Sequence, residues 1–312
     1  MPHLVCGCCH GNTAAPIGLV SARGSRRASG GAHGRPTAEA PRATPNPGVQ
    51  GYSPPPPPVS PIKGLIDFHT HAAPDIFGRA IDDDELAALA ASRQMEAIVF
   101  KNHVTHTADR AWLVRKHVPG ITVFGGITLN RAVGGLNPQA VEWMWRMQGG
   151  YGRVVWFPTF DADNHVRKSG TAPSGLRVVD ERGQVLPEAR AILKICAAQR
   201  QFDVVDLSLA QMKKAAAMGG KMELCALLML TGPDSPLEWM RHAPRIPLAD
   251  TAARIKAVGA QHFVLGTDLG QTGNPTPADG LQMFVTGLLA HGITREAIEL
   301  MGRETPGALL MG

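Results

Sequence analysis

Two histidines one residue apart, His69-Thr70-His71, close an apolar run in the stretch "GLIDFHTHAAPD". Side chains alternate across a strand, so Asp67, His69 and His71 are expected on one face, with Phe68 and Thr70 on the other. Two imidazoles converging from a strand end are donors for a divalent ion, and a carboxylate behind them is the group that orients such rings. An isolated His-x-His is more often a buried, hydrogen-bonded pair with no metal. Other strand ends tip the balance. "FKNH" presents Lys101 and His103, "TFDADNH" presents Asp161 and His165, and "LGTDLGQ" presents Asp268. Each is weak alone, because polar residues are common where strands meet loops; together they favour convergence on a metal site.

The remaining polar candidates divide by position. His262 begins its strand, and His117 and His291 fall late in helices, where a cationic ring suits the negative helix end. His242, in "EWMRHAPRIP", follows the fifth strand and is a candidate to overhang the site. Arg110 and Arg241 are candidate anchors for a carboxylate or phosphate. Asn130, just past the third strand, joins Lys101, Arg110, Asp161 and His242 as a substrate-side candidate.

Something must carry these residues to one place. Short aliphatic runs at 65–71, 97–103, 122–129, 154–161, 221–230 and 262–269 read as strands. Helical segments alternate with them. "DDDE" opens one at 82–94, Asn137-Pro138 caps another that Gly149 ends, Pro187 starts a third reaching 200, and Ser208 caps "LAQMKKAAAM". A hairpin turning at Arg182-Gly183 precedes the Pro187 helix. Strand alternating with helix means parallel strands with crossover helices. The early strands start about 25 to 32 residues apart, one strand-helix unit each, and no Gly-x-Gly-x-x-Gly follows the first. The expected fold is therefore a TIM-like (β/α) barrel over residues 61–312. It is an incomplete barrel: six strands are clear and "FDVVD" at 202–206 is a seventh, against the eight of a closed ring.

Composition narrows the partners. The 312 residues carry a formal charge of +5, but residues 1–60 hold five arginines and one glutamate, so the rest is near neutral. That leaves no basic face for nucleic acid. The longest apolar run, "LCALLML", is far short of the roughly 20 residues of a membrane span. Five cysteines make no paired framework, which favours a reducing, cytoplasmic setting. Residues 1–60, rich in Pro, Gly and Arg and closing in "PPPPP", are expected to be disordered or to act as a targeting segment. Within them Cys6, Cys8, Cys9 and His10 form a compositional metal signal only.

"DFHTH", Asp268 and the closing "RETPGALLMG" resemble the amidohydrolase superfamily of metal-dependent barrel hydrolases. "FKNHVTHTADR", "VFGGITLNRAVGGLNPQAVE", "WFPTFDADNH" and "VLGTDLGQTGNPTPADGL" are similar to one uncharacterised branch of it, a family of unknown function. The resemblance implies that His69 and His71 are first-strand ligands and Asp268 a last-strand ligand and general base. It implies a divalent ion, zinc before manganese or iron; on the strand-end reading His103, His165 or Asp161 would complete the site. Members usually add two histidines from middle strands; here a strand-helix-strand block between the Pro187 helix and "LSLAQM" is missing. Lys101 does not replace it, since the carboxylated lysine of some members comes from a later strand. The implied activity is hydrolysis of an amide, ester, lactone or phosphate in a small polar substrate. The alternatives are a degenerate barrel acting as a binding or structural protein, and a metal-dependent decarboxylase or lyase. Exposed strand edges in an open barrel would invite association, so a homo-oligomer is one state to test, along with a small-molecule substrate as partner.

Overall fold

The computed structural model describes residues 60–170, 172–199 and 208–311. The segment 1–59, with its Cys6, Cys8, Cys9 and His10 tract, and the strand expected at 202–206 lie outside the described residues. Six strands alternate with helices. β1 (Ile66–Thr70) leads to α1 (Asp83–Ser92), β2 (Ala97–Phe100) to α2 (Ala108–His117), and β3 (Thr122–Thr128) to α3 (Pro138–Arg146). β4 (Gly152–Trp156) is followed by α4 (Asp163–Ser169), α5 (Pro187–Gln199) and α6 (Leu209–Ala217). β5 (Met222–Cys225), α7 (Leu248–Val258), β6 (Phe263–Gly266), α8 (Pro277–Ala290), α9 (Arg295–Glu299) and α10 (Thr305–Met311) complete the order. No helix of the described residues is long and apolar enough to cross a membrane.

Local chemistry places the helix starts where the sequence puts them. Asp82 and Glu85 form a reciprocal capping box at α1, and Ser208 and Gln211 form another at α6. Asn137 accepts from the amides of Gln139 and Ala140 ahead of Pro138. His291 closes α8, a ring nitrogen 2.8 Å from the Gly287 carbonyl. The hairpin at 182–183 reduces to one antiparallel bridge, Val179 to Val185, around a turn that Asp180 ties to the amides of Arg182 and Gln184.

All strand pairings are parallel. β1-β2-β3-β4 form one ladder and β5-β6 another, and a parallel bridge from Thr70 to Leu269 joins them. The strand order is thus β5-β6-β1-β2-β3-β4. Among the described residues nothing pairs β4 with β5, so the six described strands do not close a ring, compatible with the incomplete barrel expected. Its outer layer packs Ile98, Phe100, Leu224, Phe263 and Leu265 against α1, α2, α7 and α8. A second apolar cluster holds Ile66, Phe68, Val99, Phe124, Trp156 and Val264, closed by Leu310 of α10.

β2, β4, β5 and β6 all end earlier than the apolar runs suggested, and for the first three the cause is local. After β2, Asn102 turns the chain by accepting the amides of Val104 and Thr105. After β4, Pro158 intervenes and the Asn130 side chain takes the Thr159 amide. After β5 the chain coils into a 3₁₀ turn, Ala226–Met229, with the Leu227 amide on the Thr267 carbonyl. The alternation expected along β1 also fails. Its register against β2 shifts between Asp67 and Thr70, an irregularity that lets Phe68 join the cluster holding Trp156, the ring that lies beside His69.

Candidate metal centre

Every group at the centre stands at a carboxyl end of the sheet, where barrels present their chemistry. His69 is the fourth residue of β1, His71 follows it, Cys225 ends β5, and Asp268 lies just past β6. All are buried. Two ladder bonds fix the β1 and β6 ends against each other: the Asp268 amide donates to the His69 carbonyl at 2.8 Å, and the His71 amide to the Leu269 carbonyl at 2.9 Å. Asp268 has φ of 55°, a left-handed backbone that an aspartate adopts at some strain. Gly270 follows at φ 129°, and a Cβ there would run into the His71 carbonyl 1.8 Å away. Only glycine permits that approach.

Three donor atoms meet. His69 Nε2 lies 3.0 Å from Asp268 Oδ1 and 3.3 Å from His71 Nε2, which is itself 3.1 Å from the same carboxylate oxygen. These atoms lie on a circle of about 1.8 Å radius, close enough together that His69, His71 and Asp268 would all reach one divalent ion. The set fits a divalent ion of the zinc type. The other ring nitrogen of His69, Nδ1, is 2.9 Å from Glu223 Oε1. A carboxylate behind a ligand histidine fixes its tautomer and aims the free nitrogen inward. Here that carboxylate is Glu223 and not Asp67. Asp67 accepts the backbone amide of His69 and both the amide and hydroxyl of Thr267, bracing β1 to β6.

The charges are tightly coupled. Burial opposes charge on His69, yet the Asp268 and Glu223 carboxylates outweigh it and push the ring up to about 9. Burial likewise opposes charge on Asp268, and His69 nonetheless holds it well below the ordinary carboxylate range. Burial and the Arg79 guanidinium drive His71 well down. Burial, aided by His71 and Lys101, does the same to His103. Asp67 is pushed up to about 7 by burial despite its Thr267 donors. A cation would take the place of the proton that His69 holds between two carboxylates.

The other expected residues are placed as follows. Lys101 is buried, its Nζ 5.1 Å from the Trp156 ring centre, and its charge acts on His69 and Asp268. His103 stacks on His71 with ring centres 4.9 Å apart and puts Nδ1 3.0 Å from Thr159 Oγ1. Asn130 donates to the His103 carbonyl and to Thr159, a framing role beside the site. Asp161 accepts the Arg131 amide at 2.7 Å. His165 is buried in α4. His242 is exposed in the 3₁₀ turn Glu238–His242, and Arg241 is tied to the Ser235 carbonyl. Arg110, expected as an anion anchor, grips both oxygens of Asp83 at 2.6 and 2.7 Å and the Ala72 carbonyl, fastening α2 to α1.

Sequence reasoning missed Glu223, Cys225, Thr159 and the pair Asp75 and Arg79. Arg79 donates twice to Asp75 Oδ2 and places Nη2 3.1 Å from His71 Nδ1. Loop residues carry no periodic signal. Glu223 did: a carboxylate inside an apolar strand is costly unless something uses it.

With the geometry in view, the class is one of fold: a parallel (β/α) barrel, shared with solved metal-dependent and other barrel structures of low identity. The structure is similar to an amidohydrolase from Pseudomonas aeruginosa at 12% identity, with a TM-score of 0.52 over 80% of this chain and 96% of that one. It is also similar to a TatD homologue from Escherichia coli (13% identity, TM-score 0.49, 80% and 98% covered). A dihydroxybenzoic acid decarboxylase from a Polaromonas species, with bound manganese and an inhibitor, gives 12% identity and a TM-score of 0.44 over 80% and 97%. At such identities the likeness concerns the fold alone, and the Pseudomonas aeruginosa protein carries it. Within that class, residues 64–205 match a family of unknown function, DUF6282. The match includes His69 and His71 and stops before Glu223 and Asp268. No curated protein matches the chain.

Proposed function

We propose that this protein is a metal-dependent hydrolase whose divalent ion, zinc before manganese or iron, is held by His69, His71 and Asp268. The observation that carries the reading is the triangle of His69 Nε2, His71 Nε2 and Asp268 Oδ1, with edges of 3.0 to 3.3 Å, backed by Glu223. The ion supplies Lewis acidity that makes water a usable nucleophile near neutral pH. Asp268, ionised at neutral pH, takes the proton that the attacking water gives up and passes it to the leaving group. Buried Lys101 stabilises negative charge developing on the substrate oxygen, in surroundings dry enough to make one cation count. His103 and His165 are held in reserve as further donors, and Asn130, Asp161 and His242 as substrate contacts. The substrate is a small polar molecule with an amide, ester, lactone or phosphate bond.

Metal analysis of the purified chain beside a His69→Ala/His71→Ala variant tests this. Stoichiometric zinc, manganese or iron that the variant lacks supports the hydrolase. A second reading has its own observation. Arg79 donates toward His71 Nδ1, which puts the His71 proton on Nε2, facing Asp268. His69 Nε2, His71 Nε2 and Asp268 Oδ1 then satisfy one another through protons, as a degenerate barrel that binds no metal requires. Folded protein without metal favours that reading.

A further inference from the structure

Cys225 is the last residue of β5 and is buried. Its Sγ, a ring nitrogen of His69 and a carboxylate oxygen of Asp268 all lie within 4.8 Å of one another. Alternation along β5 explains the aim. Met222 and Leu224 pack in the outer core, so Glu223 and Cys225 share the opposite face, and Glu223 reaches His69. In the ladder Cys225 pairs with Gly266 of β6. A Cβ on Gly266 would stand 2.1 Å from Glu223 Oε1 and 3.0 Å from His69 Cβ, so glycine keeps the ground between β5 and β1 clear of side chains.

We propose that Cys225 is a thiolate ligand of this centre, joining His69 and Asp268 and supplying a donor from the strand next to the opening of the barrel. This rests on the metal-centre reading above and deepens it by fixing the class of ion. A zinc-sulfur bond is about 2.3 Å, so a sulfur within 4.8 Å of both other donors comes into range with a displacement of roughly 1 Å. On binding, the thiol gives its proton to solvent and the sulfur lone pair to the ion. A mixed N, O and S set selects zinc, iron or cobalt over magnesium and calcium.

The test uses the full chain loaded with cobalt(II), as wild type and as Cys225→Ser. Visible ligand-field bands report that the ion is bound, and a near-ultraviolet thiolate-to-cobalt band reports sulfur. The expected result is both signals in the wild type, with the sulfur band lost in Cys225→Ser and affinity for cobalt lowered at least about tenfold. Cobalt bound without the sulfur band in the wild type, or a band that survives Cys225→Ser, overturns the proposal while the metal centre stands. The second outcome would assign the thiolate to Cys6, Cys8, Cys9 or Cys196. No cobalt bound to folded wild type removes the metal centre and this ligand with it. Should Cys225→Ser fail to fold, X-ray absorption on the zinc-loaded wild type with Cys6, Cys8 and Cys9 changed to serine decides. A sulfur shell at about 2.3 Å supports Cys225, and nitrogen and oxygen alone at about 2.0–2.1 Å overturn it.

Discussion

Replacing Glu223 by alanine removes the acceptor of the His69 Nδ1 hydrogen. The contact is 2.9 Å, and both side chains are buried. A hydrogen bond to a charged acceptor contributes about 1.5–3 kcal/mol. Loss of the carboxylate behind a ligand histidine typically weakens metal binding about 10- to 100-fold, or about 1.4–2.7 kcal/mol. The ranges overlap near 2 kcal/mol, so zinc affinity should fall about 30-fold. Glu223→Gln keeps an oxygen for the ring N–H and loses only the charge, so its deficit should be several-fold smaller. Chelator competition on full-length protein measures both, with circular dichroism confirming the fold. A Glu223→Ala protein that is folded and binds zinc within about threefold of wild type would refute the idea that this carboxylate aims the ring.

Other outcomes follow from the same geometry. Gly266→Ala pushes a methyl against Glu223 and His69, and should cost about 1–3 kcal/mol in stability together with a loss of zinc affinity; unchanged values for both count against the close approach. Arg110→Ala leaves Asp83 buried without its bidentate partner and should lower stability by about 3 kcal/mol while zinc content holds, read by thermal melting and metal analysis. If Arg110→Ala melts like wild type, its role is not the one assigned. Thr267→Val takes the hydroxyl from Asp67 and should cost about 1–3 kcal/mol in urea unfolding; no change would mean Asp67 finds another donor.

The placement of His69, His71 and Asp268 at one sheet edge was legible because each sits where an apolar run ends, a position that predicts the sheet's carboxyl edge without knowledge of the pairing. The helix starts were legible for the same local reason, since Ser208 with Gln211 and Asp82 with Glu85 act within one turn. Glu223 was hidden because its partner lies 154 residues away and the pairing of β5 beside β6 and β1 had to be known first. The partner of Arg110 was hidden for a related reason: nothing local points to Asp83, 27 residues back. The strand ends were overdrawn because apolarity continues past the last ladder bond, while Asn102 and Asn130 set the true end through their side chains.

The six described strands can hold this centre without closing a ring because its donors occupy one contiguous run of the ladder. Asp268 and the two histidines are set by backbone bonds between neighbouring strand ends, with no contribution from ring closure. β5 is different. Among the described residues it pairs on one side only, with β6, yet it carries Glu223 and Cys225. An edge strand opens more readily than a central one, and a ligand that binds only the folded form adds to the stability of the part that holds it. Metal bound across β1, β5 and β6 should therefore protect β5 most. Hydrogen exchange of the zinc-loaded chain should show Met222–Cys225 amides slowed, and chelation should release them at least about tenfold more than those of β3, which pairs on both sides. Equal release in both strands would show that the ion is not tied to β5.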